Sequence, residues 1–182
     1  MPSEVQVTIK MMKVNKADSP DKIVIGMIKT VEEYEIRKLI DVINMIFDEG
    51  KFLEAPSKSI FIAFLKQSGA VACEQYRTTN LMGHVTKIIL RILLLRARSR
   101  TTHEIAIEQF AFGKDAGTRN AIFVLRTITE RAMEMQNDIF MCFADYTKAF
   151  GKVKHDILFQ ELSNLDLNGK DLQILQDLYR NQ

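Results

Sequence analysis

The stretch Ile139-Phe-Met-Cys-Phe-Ala-Asp-Tyr-Thr-Lys-Ala-Phe150 constrains the fold more than any other part of the chain. Six apolar residues, Ile139 to Ala144, end abruptly on Asp145. A run this short and apolar on both faces predicts a strand buried in the middle of a sheet. Periodicity alone also fits a buried helix segment, but the aromatics and the charged break favour the strand. A carboxylate at the tip of a central strand sits where a sheet opens into a cleft. Such a place suits a metal ion and a phosphate substrate. The competing reading is that Asp145 starts a turn or caps the next helix.

The remaining apolar pattern is mostly helical. Ser3 and Gln6 have capping-box spacing ahead of Val5, Ile9 and Met12. Lys16 to Lys22 is a polar, proline-containing connector. Ile36, Leu39, Ile40, Ile43 and Phe47 predict a helix that ends near Gly50, and Pro56 stops any continuation. Ser59 to Leu65 is a second strand-like run, closed by Lys66. Gln67 to Cys73 and Tyr76 to Asn80 read as loops. Leu81 to Arg100 reads as a helix. Phe110 to Gly117 is a glycine-containing loop, with Thr118 placed to cap a helix that buries Ile122, Leu125, Ile128 and Ala132. Ile157, Leu158, Leu162 and Leu165 form another helical face, ended by Asn168-Gly169. Leu172, Leu175, Leu178 and Tyr179 form the last. Two strands cannot make a sheet with both faces covered. Either further strands escape the pattern, or sequence outside this chain completes the sheet.

With 182 residues, 47% of them hydrophobic and 26% charged, the chain has the composition of one globular domain. Its net charge of +2 is unevenly spread. No Asp or Glu occurs from Gln75 to His103, and that window holds Arg77, Lys87, Arg91, Arg96, Arg98 and Arg100. A local basic segment is the footprint of phosphate or nucleic-acid contact, or else a solvated helix face. Lys87 and Arg91, four apart, share one face. Cys73 and Cys142 indicate neither a zinc site nor a disulfide framework, and Cys142 is expected to pack as a small core hydrophobe. The first residues carry no signal-peptide pattern, and no apolar run reaches membrane-span length. An intracellular location, nuclear or cytoplasmic, is the expectation.

Five co-linear segments together resemble the reverse transcriptase of non-LTR retrotransposons, of the jockey and RTE type. Lys16-Ala-Asp-Ser-Pro-Asp-Lys-Ile23 is similar to the family's Lys-Ala-Pro-Gly-Pro-Asp-Gly-Ile. Ser59 to Lys66 resembles the strand that ends in Pro-Lys-Lys. Tyr76-Arg77-Thr78 with Leu81 resembles Tyr-Arg-Pro-Ile-Ser-Leu. Gln109 to Thr118 resembles Gln-Phe-Gly-Phe-Arg-x-Gly-x-x-Thr. Asp145-Tyr-Thr-Lys-Ala-Phe150 resembles the first catalytic block, Asp-x-x-x-Ala-Phe-Asp. The resemblance implies an α+β fold: a partial right-hand polymerase, helix-rich, with a small incomplete sheet. Residues 1–58 would be a linker and N-terminal helices, 59–138 a fingers-like part, and 139–182 the start of the palm.

It also implies the site. Polymerases of this kind join a primer hydroxyl to the α-phosphate of a deoxynucleotide on an RNA template, with two Mg²⁺ ions held by carboxylates. Asp145 would be the first carboxylate, with the backbone carbonyl of Tyr146 as a further ligand. Lys66 and Arg77 would lie over the triphosphate, Arg77 as a planar fork and Lys66 as a point charge. Phe150 would close against the sugar and exclude a 2′-OH. Lys87 and Arg91 could contact template phosphates.

The departures are equally specific. The family's further carboxylates come from an Asp-Asp hairpin, and no Asp-Asp pair occurs in this sequence. Gly151 stands where the block usually has Asp, Ala111 where it has Gly, and Gly113 where it has Arg. The expectation is a truncated copy, inactive alone, or a remnant that still binds RNA or DNA. A fragment that cannot fold alone would expose apolar surface and unpaired strand edges. An aspartate-nucleophile phosphatase would need a second acid two residues on, and position 147 is Thr.

Overall fold

A computed structural model of the chain describes residues 2–14, 22–52, 59–69, 71–113 and 115–180. Among them are seven α-helices and two strands, an α+β content dominated by helix. In chain order these are α1 (Pro2–Met11), α2 (Ile25–Thr30), α3 (Glu33–Glu49), β1 (Ser59–Leu65), β2 (Tyr76–Met82), α4 (His84–Thr101), α5 (Thr118–Glu134), α6 (His155–Asn164) and α7 (Gly169–Arg180). The chain divides into two units: Met1–Arg100 together with Phe159–Gln182, and Thr101–Leu158. No described helix is long and apolar enough to cross a membrane. Most of the Lys16–Lys22 connector, and Pro56, lie outside the described residues.

The core belongs to the first unit. Val5 and Ile9 of α1, Ile25 and Ile28 of α2, and Ile40, Ile43, Ile46 and Phe47 of α3 are buried together. Ile88, Ile89, Ile92 and Leu93 of α4 and Ile174 and Leu178 of α7 complete the cluster. In α3 and α4 these positions recur at intervals of three and four, so each long helix lays one stripe on the others. The second unit has no buried residue among those described.

The helix predicted to stop near Gly50 does so. Gly50 lies in the left-handed region (φ 67°, ψ 19°) and its N–H donates to the Ile46 carbonyl at 3.0 Å. Only glycine enters this conformation freely. The same turn packs on α7: a Cβ added at Gly50 would stand 2.5 Å from Gln173 Oε1. Two residues on, the Phe52 N–H donates to Asp177 Oδ2 at 2.7 Å.

An arginine joins the helices. Arg96 of α4 donates from Nε and Nη2 to the two Glu4 oxygens of α1, each at 2.9 Å. Its Nη1 donates to Asp171 Oδ1 of α7 at 2.7 Å. The guanidinium carbon lies 4.6 Å from the centre of the Phe47 ring of α3. The Asp171 side chain is only 4% exposed. Hydrogen bonding to Arg96, reinforced by charge, holds the Glu4 carboxyl below its ordinary range against partial burial. For Asp171, burial outweighs the Arg96 charge and hydrogen bond and pushes the pKa up. The guanidinium itself is raised, most of all by its bonds to Glu4.

Several expectations are overturned. Ile139–Ala144 forms no strand and is exposed, with Phe140 at 95% and Phe143 at 79%. A strand needs a ladder partner, and the two described strands pair with each other. Cys142 is therefore exposed, not a core residue. The partner that the apolar pattern missed is β2, read as a loop; it runs antiparallel to β1 in the register Ser59↔Met82 to Leu65↔Tyr76. The following helix begins at His84 rather than Leu81.

At the start of α1, Ser3 falls inside the helix, not before it. Gly117, not Thr118, is the N-cap of α5, and its N–H donates to Asn120 Oδ1 at 3.1 Å. The predicted buried face of α5 is not buried: Ile122, Leu125 and Ile128 are exposed. The next helix stops at Asn164, short of Asn168-Gly169, with Asp166 in the left-handed region (φ 54°). Tyr179 is partly exposed and meets Phe159 edge-to-face at 5.6 Å.

Two stability predictions follow from α7 packing. Gly50→Ala should cost about 1–2 kcal/mol from the left-handed backbone alone, and more if Gln173 cannot move. It should read as a lower urea midpoint at unchanged slope. Arg96→Met strands a buried carboxylate and should cost about 3–5 kcal/mol, most of it recovered by adding Asp171→Leu.

The two acids also predict opposite pH slopes. The stabilisation from Glu4 is complete above the ordinary carboxylate range and is lost as pH falls through its lowered value. The contribution linked to Asp171 has the reverse sign: it is present below the ordinary value and lost as pH rises through its raised one. Denaturation across the acid range should show wild type and Glu4→Gln converging at low pH, and Asp171→Asn gaining on wild type as pH rises.

Candidate nucleotide and nucleic-acid sites

The β1–β2 hairpin positions Lys66 and Arg77. Its loop turns through Gly69 at φ 78° and a 3-10 turn at Cys73–Gln75. The N–H groups of Val71 and Ala72 donate to Gln75 Oε1 at 2.7 and 3.0 Å, which ties the loop to its own base. The Lys66 N–H donates to the Gln75 carbonyl at 2.9 Å, so the ladder runs one residue past Leu65. Arg77 pairs with Phe64. Alternation puts residues 64 and 66 on one face, and the cross-strand partner of 64 shares it. Lys66 and Arg77 therefore lie on the same face of the ribbon. The Lys66 ammonium donates to the Glu74 carbonyl at 2.7 Å. The ribbon is open to solvent on both faces: Ile60, Phe61, Ile62, Phe64 and Leu65 are all exposed.

Asp145, Tyr146 and Phe150 belong to the other unit. Asp145 is exposed and precedes a turn in which Lys148 takes a left-handed φ of 54°. A single 3-10 turn, Phe150–Lys152, follows. The Phe150 ring meets Phe112 edge-to-face, with centroids 6.1 Å apart. Phe112 lies in the Gln109–Thr118 segment, so two of the five motifs touch through their aromatic residues. Among the described residues no group of three or more His, Cys, Asp or Glu side chains could hold a metal ion. Two Mg²⁺ ions need several carboxylate oxygens, so Asp145 with one backbone carbonyl does not make up that donor set.

The basic segment separates into parts with different surroundings. Arg96 is committed to Glu4 and Asp171 inside the helical unit. Arg100 donates to the Asp166 carbonyl at 3.2 Å. Lys87 and Arg91 line a groove of about 650 Å³ whose wall is mostly apolar, shared by Met11 at the end of α1, Met12 just beyond it, and Leu90 and Leu94 of α4. None of the described ion pairs uses Lys87 or Arg91. The charge pattern alone could not separate these roles. The acids that claim Arg96 lie 92 residues before it and 75 after it.

No family model matches the chain. It is similar to two curated proteins, each called RNA-directed DNA polymerase from mobile element jockey. The protein from Drosophila funebris is 26% identical over 165 residues, which is 89% of this chain and 18% of that protein. The protein from Drosophila melanogaster is 26% identical over 166 residues, again 89% of this chain and 18% of that protein. The chain thus spans less than a fifth of the length of these relatives. The resemblance carried by the five motifs is one to the jockey RNA-directed DNA polymerases, and it extends over nearly the whole chain.

Proposed function

We propose that the chain corresponds to the fingers and the start of the palm of a non-LTR retrotransposon reverse transcriptase. The observation that carries this is the 26% identity to jockey polymerases across 89% of the chain. The hairpin supports it, because its register sets Lys66 and Arg77 on one face. In this reading that pair binds the triphosphate of a deoxynucleotide. Arg77 supplies two parallel donors and Lys66 a compact charge.

Asp145 would supply one hard-oxygen ligand to Mg²⁺, beside the Tyr146 carbonyl. Phe150, braced by Phe112 at 6.1 Å, closes against the sugar. RNA template, DNA primer and deoxynucleotides are the partners this reading implies. The nucleotidyl-transfer site stays incomplete in these 182 residues, because the other carboxylates of the family have no counterpart among them.

A non-catalytic remnant that binds RNA or DNA is the second reading. It is favoured by Lys87 and Arg91, which the described ion pairs leave unused.

Primer extension on an RNA template, with the purified chain and Mg²⁺, tests the first reading. No incorporation is expected from the chain alone. Incorporation that Asp145→Ala removes would show a complete site and overturn the proposal. Grafting residues 1–182 in place of the matching stretch of a jockey polymerase should allow incorporation. Asp145→Ala in that chimaera should reduce it about a thousandfold, the scale of losing a major electrostatic contributor to the transition state. Filter binding addresses the second reading: affinity carried by phosphate contacts must fall steeply with salt.

A further inference from the structure

The groove between α1 and α4 has an apolar floor that the polymerase reading does not use. Its floor is aliphatic and thioether: Met12, Leu90 and Leu94, with Leu94 45% exposed. Its charged wall residues are Lys13, Lys87 and Arg91, and no acidic residue lines it. On α4, positions 87, 90, 91 and 94 follow one another at intervals of three, one and three. Cations and leucines therefore alternate along one face about 10 Å long. The volume of about 650 Å³ is that of a pocket able to take several side chains.

Single-stranded nucleic acid binds where bases can stack on aromatic rings beside a basic track. The lining residues include no Phe, Tyr or Trp, and the one aromatic ring among them, His84, is buried at 3% exposure and presents no open face to a base. Leucine and methionine walls are instead the surfaces that receive amphipathic helices, because thioethers repack around varied apolar side chains. A basic rim selects the sign of the charge that flanks the apolar stripe. We propose that this groove docks an acidic amphipathic helix. Leucine-like residues at i, i+3 and i+7 would fill the floor, and Glu or Asp at i−1 and i+4 would meet Lys87, Arg91 and Lys13.

A synthetic peptide of that pattern, with leucines at i, i+3 and i+7, Glu at i−1 and i+4 and a fluorophore, tests the proposal by anisotropy against the full 182-residue chain. Saturable binding is expected. The Lys87→Glu/Arg91→Glu variant should weaken it at least tenfold, and the same peptide with Lys for Glu should regain affinity for that variant. Leu94→Asp should weaken both peptides. Thermal transitions matching wild type establish that the variants are folded; Leu90→Ser replaces Leu94→Asp if the latter does not fold. No saturation up to about 1 mM, the weak limit of specific affinity, overturns the proposal. So does equal binding of both peptides by wild type. A single-stranded RNA oligomer that displaces the peptide and loses affinity in the charge-reversed variant would assign the groove to nucleic acid, and would equally overturn it. Primer extension by the chimaera is independent of all these outcomes.

Discussion

The helical unit depends on one partly buried cation. Arg96 reaches α1 through Glu4, α7 through Asp171 and α3 through the face of Phe47. A salt bridge this withdrawn from water is weak as a source of net stability, because desolvation takes back much of the Coulomb gain. Its effect is on which arrangement forms. Any packing that slid α7 along α4 would leave the buried Asp171 carboxylate without its cation, and one that slid α1 would part Glu4 from it. The opposite displacements of the two acids express this balance. Glu4, the more exposed, is held ionised by the guanidinium, whereas Asp171 feels its burial more than its partner. The isoleucine-rich stripes supply the adhesion, and the arginine sets their register.

Local chemistry was legible in the sequence wherever one residue decides the backbone. Gly50 ends α3 in the left-handed conformation that its position implied, and Ser59–Leu65 is a strand with the bounds its apolar run marks. The α1 stripe of Val5 and Ile9 is buried as its spacing requires. What escaped was decided at a distance. β2 is polar, so its strand signal was only Tyr76 and the β-branched pair Thr78 and Thr79. Its pairing with β1 is what makes it a strand. Conversely, Ile139–Ala144 has strand composition and no described partner. α2 is six residues long and begins without a side-chain cap, too short for a periodic signal.

The candidate site residues fall into two sets. Lys66 and Arg77 are fixed relative to each other by hydrogen bonds of the hairpin, and the sequence separation of eleven gave no hint of a shared face. Asp145 and Phe150 are fixed locally by a turn and by the ring of Phe112. The motifs nominate these residues, and the register gives two of them, Lys66 and Arg77, a shared face. The basic segment was legible as charge but not as function. Arg96 and Arg100 join internal structure, Arg77 stands on the hairpin, and Lys87 and Arg91 edge a groove.

The order in which the core residues leave the ribosome has a consequence of its own. Ile174 and Leu178 belong to the same buried cluster as Val5, Ile43 and Ile92, so the apolar stripes of α1, α3 and α4 wait for more than seventy further residues before the cluster is complete. Throughout that interval the nascent chain carries an unfinished apolar surface, together with a hairpin whose edges are open. Contacts of such long sequence separation form slowly, and exposed apolar surface in the interval invites association with other chains. Synthesis speed between Thr101 and Leu158, which add nothing to that core, therefore sets how long the first hundred residues remain at risk.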